Sequence, residues 1–138
     1  QSGIKARVLH VSSGAAHSSY VGWGPYCTTK AGLHMMYKCL SAELSQHNIL
    51  VGSLRPGVVD TPMQDGIREY DGPAENFPMY QKFSDLKESG TLEKPDNVAT
   101  FFHWLLSEVG DEEFVKNMIF AISKMTKDGR NIGSSLTE

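Results

Sequence analysis

Two apolar segments joined by one long helical pattern constrain the fold of this chain most strongly. Residues 7–11 read Arg-Val-Leu-His-Val, and residues 49–54 read Ile-Leu-Val-Gly-Ser-Leu. The second segment is almost wholly apolar, which is typical of a strand covered on both faces in a parallel sheet. Between the two, apolar residues recur at spacings of three and four from about residue 26 to 47, which predicts an amphipathic helix. A strand, a helix and a strand in this order form a right-handed parallel crossover, so we expect an α/β fold.

The central helix is expected to bury one apolar face. Its members recur along a single stripe: Leu33, Met36, Tyr37, Leu40 and Leu44. This face packs either on the core of the domain or on a second subunit, and the sequence leaves both alternatives open. Beside it, Ala31 and Gly32 predict a flat spot where a backbone or a cofactor can come close.

The composition of the segment that follows the second strand indicates a loop that covers a ligand site. Residues of about 57–92 contain several Pro and Gly residues, but also many aromatic residues and methionines. Long loops in compact domains are often functional, so we interpret this segment as a substrate loop or lid. Short helices are predicted in it near Met63–Glu69 and Met79–Lys87.

The last part of the chain predicts one helix and a tail. Pro95 suits the first turn of a helix over residues 95–108. Residues 115–122 could form a helix or a strand, because the run is too short for its periodicity to decide. Residues 123–138 are polar, and we expect them to form a divergent, flexible tail.

Charge and composition exclude several classes of partner. The chain carries 13 Lys and Arg against 16 Asp and Glu, a net charge of −3, so no broad basic face recruits nucleic acid or an anionic membrane. No apolar run is long enough to cross a bilayer. Cys27 and Cys39 lie about 18 Å apart along the predicted helix, which is too far for a disulfide. Reduced thiols indicate a cytoplasmic protein.

Polar residues that could transfer a proton follow the first strand and begin the helix. Ligands bind at the carboxyl ends of the strands in a doubly wound sheet, where Ser13 and the Pro56-Gly57 pair are expected. Tyr26 and Lys30 are four residues apart, so their side chains share one face of the helix. An ammonium beside a phenol stabilises the phenolate, which makes the phenol a usable acid near neutral pH. Ser13 could hydrogen-bond the same oxygen that Tyr26 protonates.

Each of these features has an ordinary structural explanation when it is taken alone. Ser13 could cap a turn, and the Pro56-Gly57 pair could be a simple turn. A serine hydrolase needs a glycine two positions before its nucleophile, and Val11 stands there. A zinc site on the helix needs ligands three or four residues apart, a spacing that is absent among Cys27, His34, Cys39 and His47. The sequence therefore predicts neither a hydrolase nor a metal site.

The order and spacing of these residues resemble the short-chain dehydrogenase/reductase family. The matching stretches are residues 8–14 (Val-Leu-His-Val-Ser-Ser-Gly), 26–32 (Tyr-Cys-Thr-Thr-Lys-Ala-Gly) and 55–63 (Arg-Pro-Gly-Val-Val-Asp-Thr-Pro-Met). The resemblance implies a Rossmann-type, doubly wound parallel sheet in three α/β/α layers. It also implies an NAD(P)H-dependent oxidoreductase that reduces a small-molecule ketone, aldehyde or dicarbonyl to an alcohol by hydride transfer.

The resemblance further implies a role for each matching residue. Ser13 would orient the substrate carbonyl, Tyr26 would donate the proton, and Lys30 would make Tyr26 more acidic. The cofactor would contact Tyr26, Lys30, Pro56, Gly57, Val59 and Thr61. The substrate would lie near Gly14, Trp23 and Met63, although ordinary loop packing explains Trp23 and Met63 equally well.

Within the family, the chain is most similar to the branch of sepiapterin reductases and benzil reductases. The stretches that carry this likeness include Ser-Ser-Gly-Ala-Ala at 12–16 and Gly-Trp-Gly at 22–24. That branch implies NADP(H) in preference to NAD(H), and aromatic or conjugated dicarbonyl substrates. The family also implies a homodimer or homotetramer for a full-length protein.

The chain departs from the family pattern because the N-terminal half, with its glycine-rich phosphate-binding turn, is missing. We interpret residues 1–138 as the C-terminal portion of a single Rossmann-fold domain. We expect apolar strand faces and edges to be bare, and the fragment alone to be inactive and poorly folded. The alternative function is that of a catalytically inactive relative that serves as a binding or scaffold protein.

Overall fold

The computed structural model describes residues 5–119, in which strands and helices alternate. The strands are β1 (Ala6–Val11), β2 (Ile49–Arg55) and β3 (Asn117–Ile119). The α-helices are α1 (Gly24–Leu44), α2 (Pro62–Arg68), α3 (Tyr80–Glu88), α4 (Pro95–Ser107) and α5 (Asp111–Val115). Short 3₁₀ turns occupy Gly14–Ala16, Ser45–His47 and Ala74–Asn76. The strands and the four helices predicted from the sequence are confirmed within one to three residues at their ends, and α5 was not predicted.

The described strands form one parallel sheet in the order β1-β2-β3. The first pair runs in register from Ala6 opposite Ile49 to Val11 opposite Leu54, which confirms the predicted crossover. Residues 115–122, for which the sequence allowed either a helix or a strand, contain parts of both: α5 ends at Val115, and β3 then pairs with β2. The predicted tail at 123–138 lies outside the described residues.

One face of the sheet carries the apolar core. Leu54 of β2 joins Phe101 and Leu105 of α4 and Phe114 of α5 there, each at most 2% exposed. Gly52 permits this packing, because a Cβ at that position would come within 2.5 Å of the Phe114 carbonyl oxygen. The helices α4 and α5 therefore form one outer layer.

The opposite face of the sheet is covered by α1. The ring of His10 stacks on Tyr37 of α1, with 5.5 Å between the ring centroids, and His10 Nδ1 lies 2.9 Å from Ser53 Oγ. Successive residues of a strand point to opposite faces, so His10 and Ser53 lie on the side away from Leu54. The two outer layers and the parallel sheet confirm the predicted three-layer α/β/α class.

Within the described chain, α1 buries only part of its predicted apolar face. Tyr37 is buried, but Leu33 and Met36 are 38% and 51% exposed. The side chains that reach the sheet and the site are Lys30, His34 and Tyr37, which recur at the same spacing of three and four as the apolar residues. These contacts set the rotation of the helix and turn Leu33 and Met36 toward solvent.

The edge strand β1 is anchored by Arg7 but leaves an apolar side chain exposed on each of its faces. The guanidinium of Arg7 donates to the carbonyl oxygens of Leu105, at 3.0 Å, and Val109, at 2.7 Å, which ties the strand to the end of α4. Val8 and Val11 remain 43% and 39% exposed, as the sequence predicts for this edge. Between residues 5 and 119, no helix combines the length and the apolar character that a bilayer crossing needs.

Candidate active site

Ser13 occupies the turn where β1 ends. It caps the first 3₁₀ turn, and its Oγ accepts a hydrogen bond from the backbone N–H of Ala15 at 3.2 Å. Because the oxygen is the acceptor there, the hydroxyl proton stays available to a bound molecule. The neighbouring Ser12 is 4% exposed with a buried Oγ that has no hydrogen-bond partner among the described residues. Both serines line the cavity, and Ser13 is the more exposed of the two.

Tyr26 and Lys30 lie on the first two turns of α1. The Lys30 ammonium donates to the Val11 carbonyl oxygen at 3.2 Å, which holds the lysine against the end of β1. Its Nζ lies 5.8 Å from the centroid of the Tyr26 ring. The edge of the Tyr26 ring meets Trp23 with 5.1 Å between the centroids. These contacts fix the phenol between the strand end and the Trp23 loop.

The segment after β2 contains backbone and hydroxyl groups that have no hydrogen-bond partner among the described residues. Gly57 has a φ of +82° and would meet nothing within 4 Å through an added Cβ, so it leaves an open turn. Val59 forms a parallel β-bridge with Glu93. Its two hydrogen bonds are made by the neighbours of Val59: the N–H of Asp60 donates to the Glu93 carbonyl, and the N–H of Glu93 donates to the Val58 carbonyl. Backbone groups alternate in direction along an extended chain, so the N–H of Val59 points away from Glu93. Thr61 precedes α2 without a side-chain capping bond, which leaves its hydroxyl free.

These groups meet around one cavity of about 420 Å³. Every site residue predicted from the sequence lines it, so the structure brings together Ser13, Gly14, Trp23, Tyr26, Lys30, Pro56, Gly57, Val59, Thr61 and Met63. The segment predicted as a lid supplies one wall through α2 and α3. The volume suits a small molecule, and the lining is a mainly apolar surface with few polar groups, as is usual for ligand sites.

The cavity also includes residues that the sequence analysis missed. Gln64 is 7% exposed, and its Oε1 has no hydrogen-bond partner among residues 5–119. Arg55, Lys82 and Phe83 line the cavity as well. Gln64 follows Met63 directly, but a sequence carries no signal for which residue of a short helix faces inward. Lys82 and Phe83 reach the cavity only because α3 folds back across the Trp23 loop.

Three histidines lie behind Lys30 on the α1 side of the sheet. The ring centroids of His17 and His34 are 4.4 Å apart, and those of His10 and His34 are 6.3 Å apart. Burial lowers the pKa of His10, and the nearby His34 and Lys30 add to this effect. Burial likewise lowers the pKa of His34, with further contributions from His17, Lys38 and Arg55. His10 itself is half-buried.

Comparisons with known proteins agree with this geometry. The family model described as short chain dehydrogenase matches residues 1–72. The benzil reductase ((S)-benzoin forming) of Bacillus cereus is 39% identical over 123 residues, which are 88% of this chain and 47% of that protein. The sepiapterin reductase of Mus musculus is 37% identical over 90 residues, 65% of this chain and 33% of that protein.

A solved structure shows the same architecture. The short chain dehydrogenases/reductase from Saccharomyces cerevisiae superimposes with a TM-score of 0.70 at 29% identity, over 82% of this chain and 44% of that one. The chain spans about half, or less, of the length of the curated relatives it matches. Together with the strand-end serine and the tyrosine–lysine pair on one helix, these matches establish that the chain belongs to the short-chain dehydrogenase family.

Proposed function

We propose that the protein carrying this chain reduces the carbonyl group of a small molecule to an alcohol, with Tyr26 as the proton donor. The observation that carries the proposal is the meeting of Ser13, Tyr26 and Lys30 with the Pro56-Gly57 turn around one cavity. Relatives of this chain are named benzil reductase and sepiapterin reductase, which supports a ketone or dicarbonyl as the substrate.

The chain's own residues manage the carbonyl oxygen. Ser13 donates its free hydroxyl proton to that oxygen and holds the carbonyl in place. Tyr26 gives its phenolic proton to the same oxygen as negative charge develops there, and so completes the alcohol. Lys30, held near the Tyr26 ring by the Val11 carbonyl, stabilises the phenolate that remains until solvent returns a proton.

The residues after β2 fit the nicotinamide end of a dinucleotide cofactor. A reduced nicotinamide cofactor supplies the hydride that the carbonyl carbon receives. Pro56 and the open turn at Gly57 provide a flat surface for its ring. The N–H of Val59 and the free hydroxyl of Thr61 suit its carboxamide, while Lys30, beside Tyr26, suits the ribose hydroxyls. We propose NADP(H) in preference to NAD(H) from the likeness to the sepiapterin and benzil reductases.

The state of the protein is part of the same proposal. We propose a cytoplasmic homodimer or homotetramer when the protein is full length, to which the exposed Leu33, Met35 and Met36 of α1 could contribute contacts. We further propose that α2 and α3 act as a substrate lid, and that residues 1–138 alone are inactive. Measurable turnover by purified 1–138 with NADPH and a diketone would contradict the last point.

Replacing Tyr26 by Phe tests the proposed function most directly. In the complete gene product, Tyr26→Phe is expected to lower kcat for benzil reduction by about 10²–10⁴-fold, because the proton donor is lost while the ring remains. The measurement is NADPH oxidation at saturating benzil, repeated with NADH. Tyr80→Phe is the matched control, since Tyr80 contacts Tyr70 outside the cavity lining and should keep full activity. Unchanged turnover in Tyr26→Phe would remove Tyr26 from the mechanism, whereas an absence of turnover in the unaltered gene product would favour a binding or scaffold protein.

A further inference from the structure

The cavity has a charge opposite to that of the chain. Acidic residues outnumber basic ones by 16 to 13 in the sequence. Among the described residues that line the cavity, however, three are cationic, namely Lys30, Arg55 and Lys82, and none is a carboxylate. A site lined by one sign of charge concentrates ligands of the opposite sign. The cavity therefore favours an anionic ligand.

None of the three cations has an ion-pair partner within residues 5–119. The Lys30 ammonium donates to the Val11 carbonyl oxygen, whereas the side chains of Arg55 and Lys82 have no hydrogen-bond partner there. Asp85, one turn after Lys82 on α3, accepts a hydrogen bond from Gln81 at 2.7 Å instead. A cation at the rim of a cavity without a protein partner is free to meet a charged ligand.

Lys82 belongs to the wall of the cavity that α3 supplies. Its neighbour Phe83 stacks on Trp23 with 5.4 Å between ring centroids and 8° between ring planes. Trp23 in turn meets the edge of the Tyr26 ring at 5.1 Å. A chain of aromatic rings thus leads from Tyr26 to α3, where Lys82 stands. Arg55, by contrast, directly precedes the turn proposed for the nicotinamide.

We propose that the substrate is an aromatic carbonyl compound that carries an anionic group. Its carbonyl meets Ser13 and Tyr26, its ring lies along Trp23 and Phe83, and its anionic group pairs with Lys82. This inference rests on the proposed carbonyl reduction and adds the charge class of the substrate to it. Neither relative named above has an anionic compound in its name.

A matched pair of substrates tests the inference in the complete gene product. Benzil and benzil-4-carboxylate share the diketone and both rings, and differ by one negative charge. We expect kcat/KM for the carboxylate to exceed that for benzil by about fivefold at low salt, as an exposed ion pair gives, and the ratio to fall at high salt. Lys82→Met should bring the ratio to about one by lowering kcat/KM for the carboxylate more than for benzil, and Lys82→Arg should keep it.

A control of equal charge change is Lys94→Met, because Lys94 is exposed and lies outside the cavity lining. This variant should leave the substrate ratio unchanged. A ratio of one or less in the unaltered protein overturns the inference, and so does an equal loss with both substrates in Lys82→Met. If Lys82→Met raises the KM for NADPH alone, the cation serves the cofactor and the inference is also wrong.

Binding gives a second readout that does not need turnover. The chain has two tryptophans, and Trp23 lines the cavity while Trp104 stacks on Phe101 in α4. In the complete gene product, the part of the fluorescence quenching that Trp23→Phe removes reports the binding of each diketone beside Trp23, and Trp104→Phe is the control. Tighter binding of the carboxylate that disappears in Lys82→Met supports the inference, and equal binding of both compounds overturns it. The two proposals can be tested separately in Tyr26→Phe. Its turnover tests the proposed function, whereas the difference in binding between the two diketones tests the inference about Lys82.

Discussion

The two faces of the sheet differ in how completely their polar atoms and surfaces are covered. On the α4 and α5 face, Phe101 and Leu54 are at most 1% exposed and the contacts are apolar. On the α1 face, His10 and Ser53 meet each other, and buried nitrogens of His10 and His34 have no hydrogen-bond partner among the described residues. Unpaired buried polar atoms cost stability. The first face therefore stabilises the fold, whereas the second gives up stability beside the cavity.

This difference follows from the geometry of neighbouring strand positions. Leu54 and Ser53 are adjacent in β2, yet one enters the core and the other lies toward α1. The α1 face continues directly into the site, because Lys30 of the same helix reaches the end of β1. A single helix thus covers the sheet and carries the proposed proton donor. Chemistry and packing can be tested separately by changing one face at a time.

Removing Phe101 should have the largest effect on stability. Its side chain is fully buried among Leu54, Leu105 and Phe114, so Phe101→Ala is expected to lower the free energy of unfolding by about 3–5 kcal/mol. Urea denaturation followed by circular dichroism measures this loss. Met36→Ala on α1 is the control, because Met36 is 51% exposed and its loss should be small. Equal losses in the two variants would remove the distinction between the faces.

Two glycine-to-alanine substitutions, one on each face of the sheet, test the same difference in packing. A Cβ at Gly52 would lie 2.5 Å from the Phe114 carbonyl oxygen, so Gly52→Ala should destabilise the protein by about 1–3 kcal/mol through overpacking. Gly32, inside α1, has nothing within 4 Å of that position. Gly32→Ala should therefore stabilise the helix by about 0.5–1 kcal/mol. A stable Gly52→Ala variant would mean that α5 can move away from β2 at little cost.

Much of this arrangement could be predicted from the sequence because local patterns determine it. The apolar run at 49–54 and the Pro-Gly pair after it predicted β2 and its end, and spacing alone placed Tyr26 and Lys30 on one helix face. Ser13 was assigned from the resemblance to the family, and it does line the cavity at the end of β1.

The rest depends on contacts between segments distant in sequence. The rotation of α1 on the sheet could not be predicted, because it depends on the contacts of His34 and Tyr37 with His10 of β1. The role of Lys82 in lining the cavity depends on the stacking of Phe83 against Trp23, a contact across 60 residues that no local pattern encodes. Likewise, nothing in the sequence of Gln64 distinguishes it from a solvent-exposed helix residue.

The pH at which the free energy of unfolding falls should differ between the two faces. Of the three stability tests, this one is expected to show the smallest effect. The pKa values of His10 and His34 are lowered mainly by burial, so the folded state disfavours their protonated forms. Their contribution is complete above the unfolded value of 6.5 and is lost as the pH falls through their lowered folded pKa values. On the other face, hydrogen bonds from Lys5 and Arg7 lower the pKa of Asp111. That contribution is present above the unfolded value of 3.8 and is lost only in stronger acid.

Unfolding by urea between about pH 7.5 and pH 5.5 therefore reports His10 and His34 on the α1 face rather than Asp111 on the other. His34→Gln should flatten the fall in stability over this range, since it removes one group that resists protonation and relieves His10 of a neighbouring charge. Asp111→Asn should leave the fall unchanged there and weaken only the further loss at lower pH. If Asp111→Asn flattens the fall near neutral pH, or if His34→Gln leaves it as steep as before, the α1 face is not the acid-sensitive one.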